Sequence, residues 1–182
     1  VYTYDRRGRG DSGDTMPYSP DREIEDFAAV ISHAGGEADV FGHSSGAVLA
    51  LEAAVRGVPI RRLALYETPF VVDDARPPVG DEWAVELRSL IDAGRRGRAV
   101  KRFMTEVACA PAFVPVVMSL TPMWPGLKAI AHTLAYDSAL MAPYQRGEPE
   151  AIDRFASVET PTLLLLGGKS PAWIKNAVHT LD

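Results

Sequence analysis

The sequence predicts an α/β fold in which a parallel sheet is flanked by helices. Two observations carry that reading. Short β-rich apolar runs alternate with stretches of helical periodicity, the pattern of a parallel sheet covered on both faces. One junction between such a run and a helix, "VFGHSSGAVLAL" at residues 40–51, is built almost entirely of small residues around Ser44.

The elements follow in chain order. Val1–Tyr4 is β-rich and closes on the turn-like "DRRGRGDSG", so it reads as the end of a buried strand. Ser19 has the chemistry of an N-cap, with Pro20 at the first helical position and Asp21 in the first turn. Ile24, Phe27, Ala28 and Ile31 then form an apolar stripe that Gly35 and Gly36 end. Ala38–Phe41 reads as a strand, and 45–56 as a helix stopped by Gly57. "RRLALYETPF" at 61–70 and "TPTLLLLGG" at 160–168 supply two further strands. Between them lie stripes at Trp83/Leu87/Leu90/Ile91, at Val100/Phe103/Met104/Val107 and at Leu127/Ile130/Ala131/Leu134, punctuated by Pro111, Pro115, Pro122 and Pro125. These predict a helical insertion over one end of the sheet. The segment "KSPAWIKNAVHTLD" at 169–182 reads as one last helix.

Composition narrows the function classes. The 182 residues are 47% hydrophobic and 24% charged, enough apolar material for one domain with a real core. A net charge of −5 argues against nucleic acid or an anionic membrane as the main partner. The lone Cys109 forms no internal disulfide, which points to a cytoplasmic setting. No apolar run approaches the ~20 residues that span a bilayer. Neither a metal nor a cofactor is expected. The "RGD" at 9–11 belongs to the post-strand turn, and "RRGRG" is a single copy in an acidic chain. "GGKS" at 167–170 lacks the earlier glycine of a phosphate loop, since position 163 is Leu163.

Ser44 is the candidate nucleophile. A serine hydroxyl needs a base to take its proton, and it must stand proud of the sheet where base and substrate reach it. A sharp strand-to-helix turn does this at the cost of close backbone packing, so small residues are expected two before and two after, at Gly42 and Gly46. The same turn aims the Ser45 amide at developing oxyanion charge.

With these motifs in hand, the chain resembles the α/β-hydrolase family over essentially its whole length. "YDRRGRGDSG" is similar to that family's turn after the fourth strand, "VFGHSSGAVLAL" to its nucleophile elbow, "RRLALYETPF" to strand six and "TPTLLLLGG" to strand seven. The resemblance implies a serine hydrolase acting on an ester or similar small acyl substrate. It also implies a core at 1–70 and 155–182, with residues 71–154 as a helical lid inserted between the sixth and seventh strands. Trp83, Phe103, Met118, Met123 and Trp124 would give that lid a partly apolar lining.

The sequence departs from the family in three places. The usual acid position after strand seven holds Ser170; some members of the family carry the acid after strand six instead, and there the resemblance implies Glu67, with Asp73 and Asp74 as weaker candidates. None of His33, His43, His132 and His179 stands where the family's base does, although His132 in the lid is the first alternative. The loop that donates the second oxyanion amide has no counterpart. The expectation is an internal fragment of a serine hydrolase, lacking early strands and the histidine segment. Two rival readings stay open: a non-catalytic small-molecule-binding member of the same fold, and a cofactor-free perhydrolase of haloperoxidase type.

Overall fold

The computed structural model describes residues 1–182, the side chain of Asp81 excepted. The chain forms two compact units, one of residues 1–4, 18–78 and 140–182 and the other of residues 5–17 and 79–139.

The first unit is built on a parallel sheet of β1 (Ala38–His43), β2 (Ile60–Tyr66) and β3 (Thr162–Leu165), in that order. Val40 pairs with Leu63 and Gly42 with Leu65, while Leu63 pairs with Thr162 and Leu65 with Leu164. Helix α2 (Ser45–Val55) packs against β1 and β2, with Ala47, Val48, Leu49, Ala50 and Leu51 all buried. Its small apolar residues let helix and sheet approach closely. The opposite row, Phe41–Ala64–Leu163, is the open one, with Phe41 66% and Leu163 58% exposed.

Helix α1 (Pro20–His33) starts where its sequence signals place it. The Ser19 hydroxyl accepts from the Arg22 amide, Pro20 opens the helix, and Ile24, Phe27 and Ile31 are buried. A buried carboxylate on α2, Glu52, accepts hydrogen bonds from the Tyr144 hydroxyl and the Arg56 guanidinium, with the Arg154 guanidinium 3.3 Å away. Phe70, Tyr144 and Phe155 pack ring on ring beside it. Helix α8 (Ala172–Leu181) runs as expected, burying Trp173, Ile174, Ala177 and Val178.

One predicted strand is absent. Val1–Tyr4 joins no ladder, and Val1 and Tyr2 are exposed. A strand is defined by the ladder it joins, and among the described residues the sheet contains only β1, β2 and β3. They face β1 across an apolar groove of about 530 Å³, floored by Phe27, Val30 and Ile31.

The second unit is helical: α3 (Asp81–Asp92), α4 (Arg96–Arg102), α5 (Phe113–Met118), α6 (Trp124–Ala129) and the start of α7 (Leu134–Met141). The stripe predicted over 100–107 begins as α4 and widens into a π turn at Phe103–Val107. That predicted over 127–134 is broken by a 3₁₀ turn at Ala131–Thr133, where the Thr133 hydroxyl donates to the Ile130 carbonyl at 2.8 Å. The turn at 5–17 belongs to this unit: Arg6 and Arg9 both donate to Asp137, and the Tyr136 hydroxyl donates to Asp14 at 2.8 Å. Burial and the Asp14 carboxylate push the Tyr136 hydroxyl pKa up to about 12.

Candidate active site

Ser44 sits between the end of β1 and the first residue of α2, with φ 54° and ψ −122°. A serine gains nothing from left-handed backbone, so its neighbours must impose it. They do so from both sides. The Ser44 amide donates to the Tyr66 carbonyl at the end of β2 (3.0 Å), and the Ser44 carbonyl accepts from the Ala47 amide in the first turn of α2 (2.9 Å). The side chain is thereby held at the C-terminal end of the sheet, where open α/β sheets bind their ligands.

The two elbow glycines differ. A Cβ on Gly42 would stand 2.7 Å from the Cα of Ala47 and 2.7 Å from the carbonyl oxygen of Gly46, so space alone demands glycine there. A Cβ on Gly46 meets nothing within 4 Å. The close packing expected on both sides of the serine occurs on one. Ser45 is the first residue of the 11-residue α2, so its amide belongs to the positive end of the helix.

Glu67 lies on the neighbouring strand end. His43 pairs with Tyr66, so the residues that follow, Ser44 and Glu67, leave the sheet side by side. Glu67 also has a left-handed backbone, φ 53°, and its amide donates to the Leu165 carbonyl of β3 at 3.1 Å. Its carboxylate Oε1 accepts a hydrogen bond from the Ser170 hydroxyl. Ser170 stands on the turn after β3, its amide donating to the Gly167 carbonyl at 3.0 Å, and is 8% exposed. A Cβ on Gly167 would fall within 3 Å of the Glu67 Oε1, the Ser170 Oγ and the Tyr66 hydroxyl, so three polar groups from one strand end and one turn meet over this glycine.

The other candidates lie elsewhere. Asp73 accepts from the Ala75 amide and from the Asn176 side chain, a role in tying the loop after β2 to α8. His43 packs its ring on Tyr66 at 5.2 Å, His33 lies edge-on to Tyr2 at 6.0 Å, and His179 is exposed in the last turn of α8. Among the described residues of this unit, no histidine hydrogen-bonds Ser44 or Glu67. His132, in the helical unit, lies 3.5 Å from Asp14 through Nε2. In that unit Trp83 meets Phe103 edge-on, and Lys101 lies over the Trp124 ring. Met123 is exposed.

Sequence reasoning missed what Ser170 does. It was legible as the position where an acid was lacking, and the contact with Glu67 spans 103 residues of chain. Among the described residues no group of three or more His, Cys, Asp or Glu could hold a metal ion. Among the described residues no helix is long and apolar enough to cross a membrane.

Comparison with known proteins shows the family. The profile of the alpha/beta hydrolase family matches residues 1–181. An alpha/beta hydrolase from Sphaerobacter thermophilus is 53% identical and superposes with a TM-score of 0.90, over 98% of this chain and 68% of that one. A hydrolase from Pseudomonas aeruginosa is 19% identical with a TM-score of 0.63, over 98% of this chain and 65% of that one, a likeness of fold. The chain belongs to the alpha/beta hydrolase family, and it spans about two thirds of the length of these two relatives. The family assigns hydrolase chemistry on a small molecule.

Proposed function

We propose that the protein is a serine hydrolase that cleaves an ester or similar small acyl substrate. The observation that carries this reading is the juxtaposition of Ser44 and Glu67. Two non-glycine residues hold left-handed backbone on adjacent strand ends, at the C-terminal end of the sheet where a substrate can approach. Strain of this kind costs of order 1–3 kcal/mol per residue and persists where the surrounding structure over-determines it.

In this reading the Ser44 Oγ attacks the acyl carbon while an imidazole takes its proton. The oxygen of the tetrahedral intermediate draws its charge toward the Ser45 amide at the positive end of α2. The imidazolium returns the proton to the departing alkoxide, leaving an acyl-Ser44 ester that water then hydrolyses by the same route. Glu67 supplies the negative charge that orients and stabilises the imidazolium. The base is an imidazole that the sheet unit does not contribute. The helical insertion at 71–154 acts as a lid over a core of 1–70 and 155–182, and the setting is cytoplasmic.

The test is covalent labelling of the full-length protein with a fluorophosphonate, alongside p-nitrophenyl acetate turnover. Both are expected in the wild type and lost in Ser44→Ala. Ligand affinity without Ser44-dependent labelling would instead establish a binding protein. Peroxide-dependent halogenation would establish a perhydrolase.

A further inference from the structure

We infer that Ser170 is a positioning residue for the Glu67 carboxylate, an inference that rests on Glu67 being the acid of the proposed reaction. A glutamate has one more rotatable bond than an aspartate, and its terminal torsion is broad and roughly two-fold. Left to itself, the carboxylate of Glu67 would present either oxygen in a range of directions. An acid that must hold an imidazole N–H needs one oxygen kept in one place.

The structure removes that freedom on one side. The Ser170 hydroxyl donates to Oε1, a charge-assisted bond of the strong kind. Ser170 is itself held, being buried and fixed through its amide to the Gly167 carbonyl. That bond fixes the rotation of the carboxylate and leaves acceptor sites on it for an imidazole. Gly167 completes the arrangement. Its φ lies outside the left-handed range, so any residue could adopt its backbone. A methyl group there would instead stand 2.8 Å from Oε1 and 2.9 Å from the Ser170 Oγ and the Tyr66 hydroxyl, so these side-chain ends would have to shift. The turn after β3 thus does not hold the acid. It holds the group that aims an acid borne by β2.

Two variants of the full-length protein test this, each breaking the contact in a different way. Ser170→Ala removes the donor, and Gly167→Ala keeps both residues but pushes their side-chain oxygens out of place. Each is expected to lower kcat by about 10- to 100-fold, the range to which loss of a hydrogen bond to a charged group converts. KM should stay within a factor of two or so of wild type, since neither residue is proposed to touch substrate. The acid limb of the pH profile of kcat/KM should move to lower pH, because a poorly aimed carboxylate stabilises the imidazolium less.

Glu67→Gln in the same assay separates the two readings. If it abolishes turnover while Ser170→Ala changes neither kcat nor the pH profile, positioning by Ser170 is overturned and Glu67 as acid stands. A fall in kcat with an unmoved acid limb overturns it too, since general loosening of the fold would do as much. If Glu67→Gln leaves kcat intact, or if turnover never depends on Ser44, both readings fall.

Discussion

The two elbow glycines make opposite demands, and alanine at each measures them. At Gly42 the added methyl carbon would lie 2.7 Å from both the Ala47 Cα and the Gly46 carbonyl oxygen, and 2.9 Å from the Ala47 amide nitrogen. Ordinary contact begins at 3.4 Å, so the first turn of α2 must retreat by about 0.7 Å. All three obstacles are backbone, and a helix whose inner face is fully packed against the sheet has nowhere to retreat to. Overpacking of this kind costs ~1–3 kcal/mol. Reduced freedom of the unfolded chain offsets ~0.4–1 kcal/mol of that. A net loss near 1–2 kcal/mol lowers Tm by about 2–8 °C in a chain of this length. At Gly46, in the first turn of α2, the methyl group meets nothing, and exchanging glycine for alanine in a helix stabilises by up to about 1 kcal/mol. Its Tm should hold or rise. Calorimetry of the two variants beside wild type checks the pair, with fluorophosphonate labelling to show that only Gly42→Ala slows Ser44. A Gly42→Ala protein melting within a degree of wild type would refute the steric account. So would a Gly46→Ala protein that falls as far.

Glu67→Gln should lower kcat of the full-length protein by about 10⁴-fold with the fold retained, as loss of an imidazolium's counter-charge does; an unchanged kcat redirects the search to Asp73 or Asp74. The 182 residues on their own should show no p-nitrophenyl acetate turnover above a Ser44→Ala control, since among the described residues no histidine of the sheet unit hydrogen-bonds Ser44; Ser44-dependent turnover at ordinary enzyme rates would make His132 the next residue to mutate. Tyr144→Phe withdraws a donor from the buried Glu52, 5% exposed, and should cost ~1–3 kcal/mol in a denaturant titration; an unchanged midpoint would mean Arg56 and Arg154 suffice for that carboxylate. Hydrogen bonds from Arg61 and Arg62 hold the Asp39 carboxyl well below the usual carboxylate range. A carboxyl depressed in the folded state stabilises it above the ordinary aspartate pKa, and that contribution is lost as the pH falls through the lowered value. Asp39→Asn should therefore flatten the stability curve only at its acid end, an effect weakened by salt because the pair is exposed; equal slopes in the two proteins would rule it out.

What the sequence determined by itself was local. The alternation of apolar runs and helical stripes, the Ser19–Pro20 start of α1 and the small-residue turn around Ser44 are each encoded within a dozen residues, and each appears where it was read. Interactions between neighbours in the chain suffice to specify them. Val1–Tyr4 looked equally strand-like, yet extended backbone becomes a strand only beside a hydrogen-bonded partner, which no property of those four residues provides. The stripe at 127–134 had the right period but is interrupted by a 3₁₀ turn at Ala131–Thr133 between two helices. The site depended most on tertiary structure. Glu67 was proposed as the acid only through the family resemblance, as the carboxylate that follows the sixth strand. Its neighbour Ser44 follows from the register of β1 on β2, and its partner Ser170 from the pairing of β2 with β3. Sheet pairing joins residues across any length of intervening chain, so no window of sequence contains the bond between a serine at 170 and a carboxylate at 67.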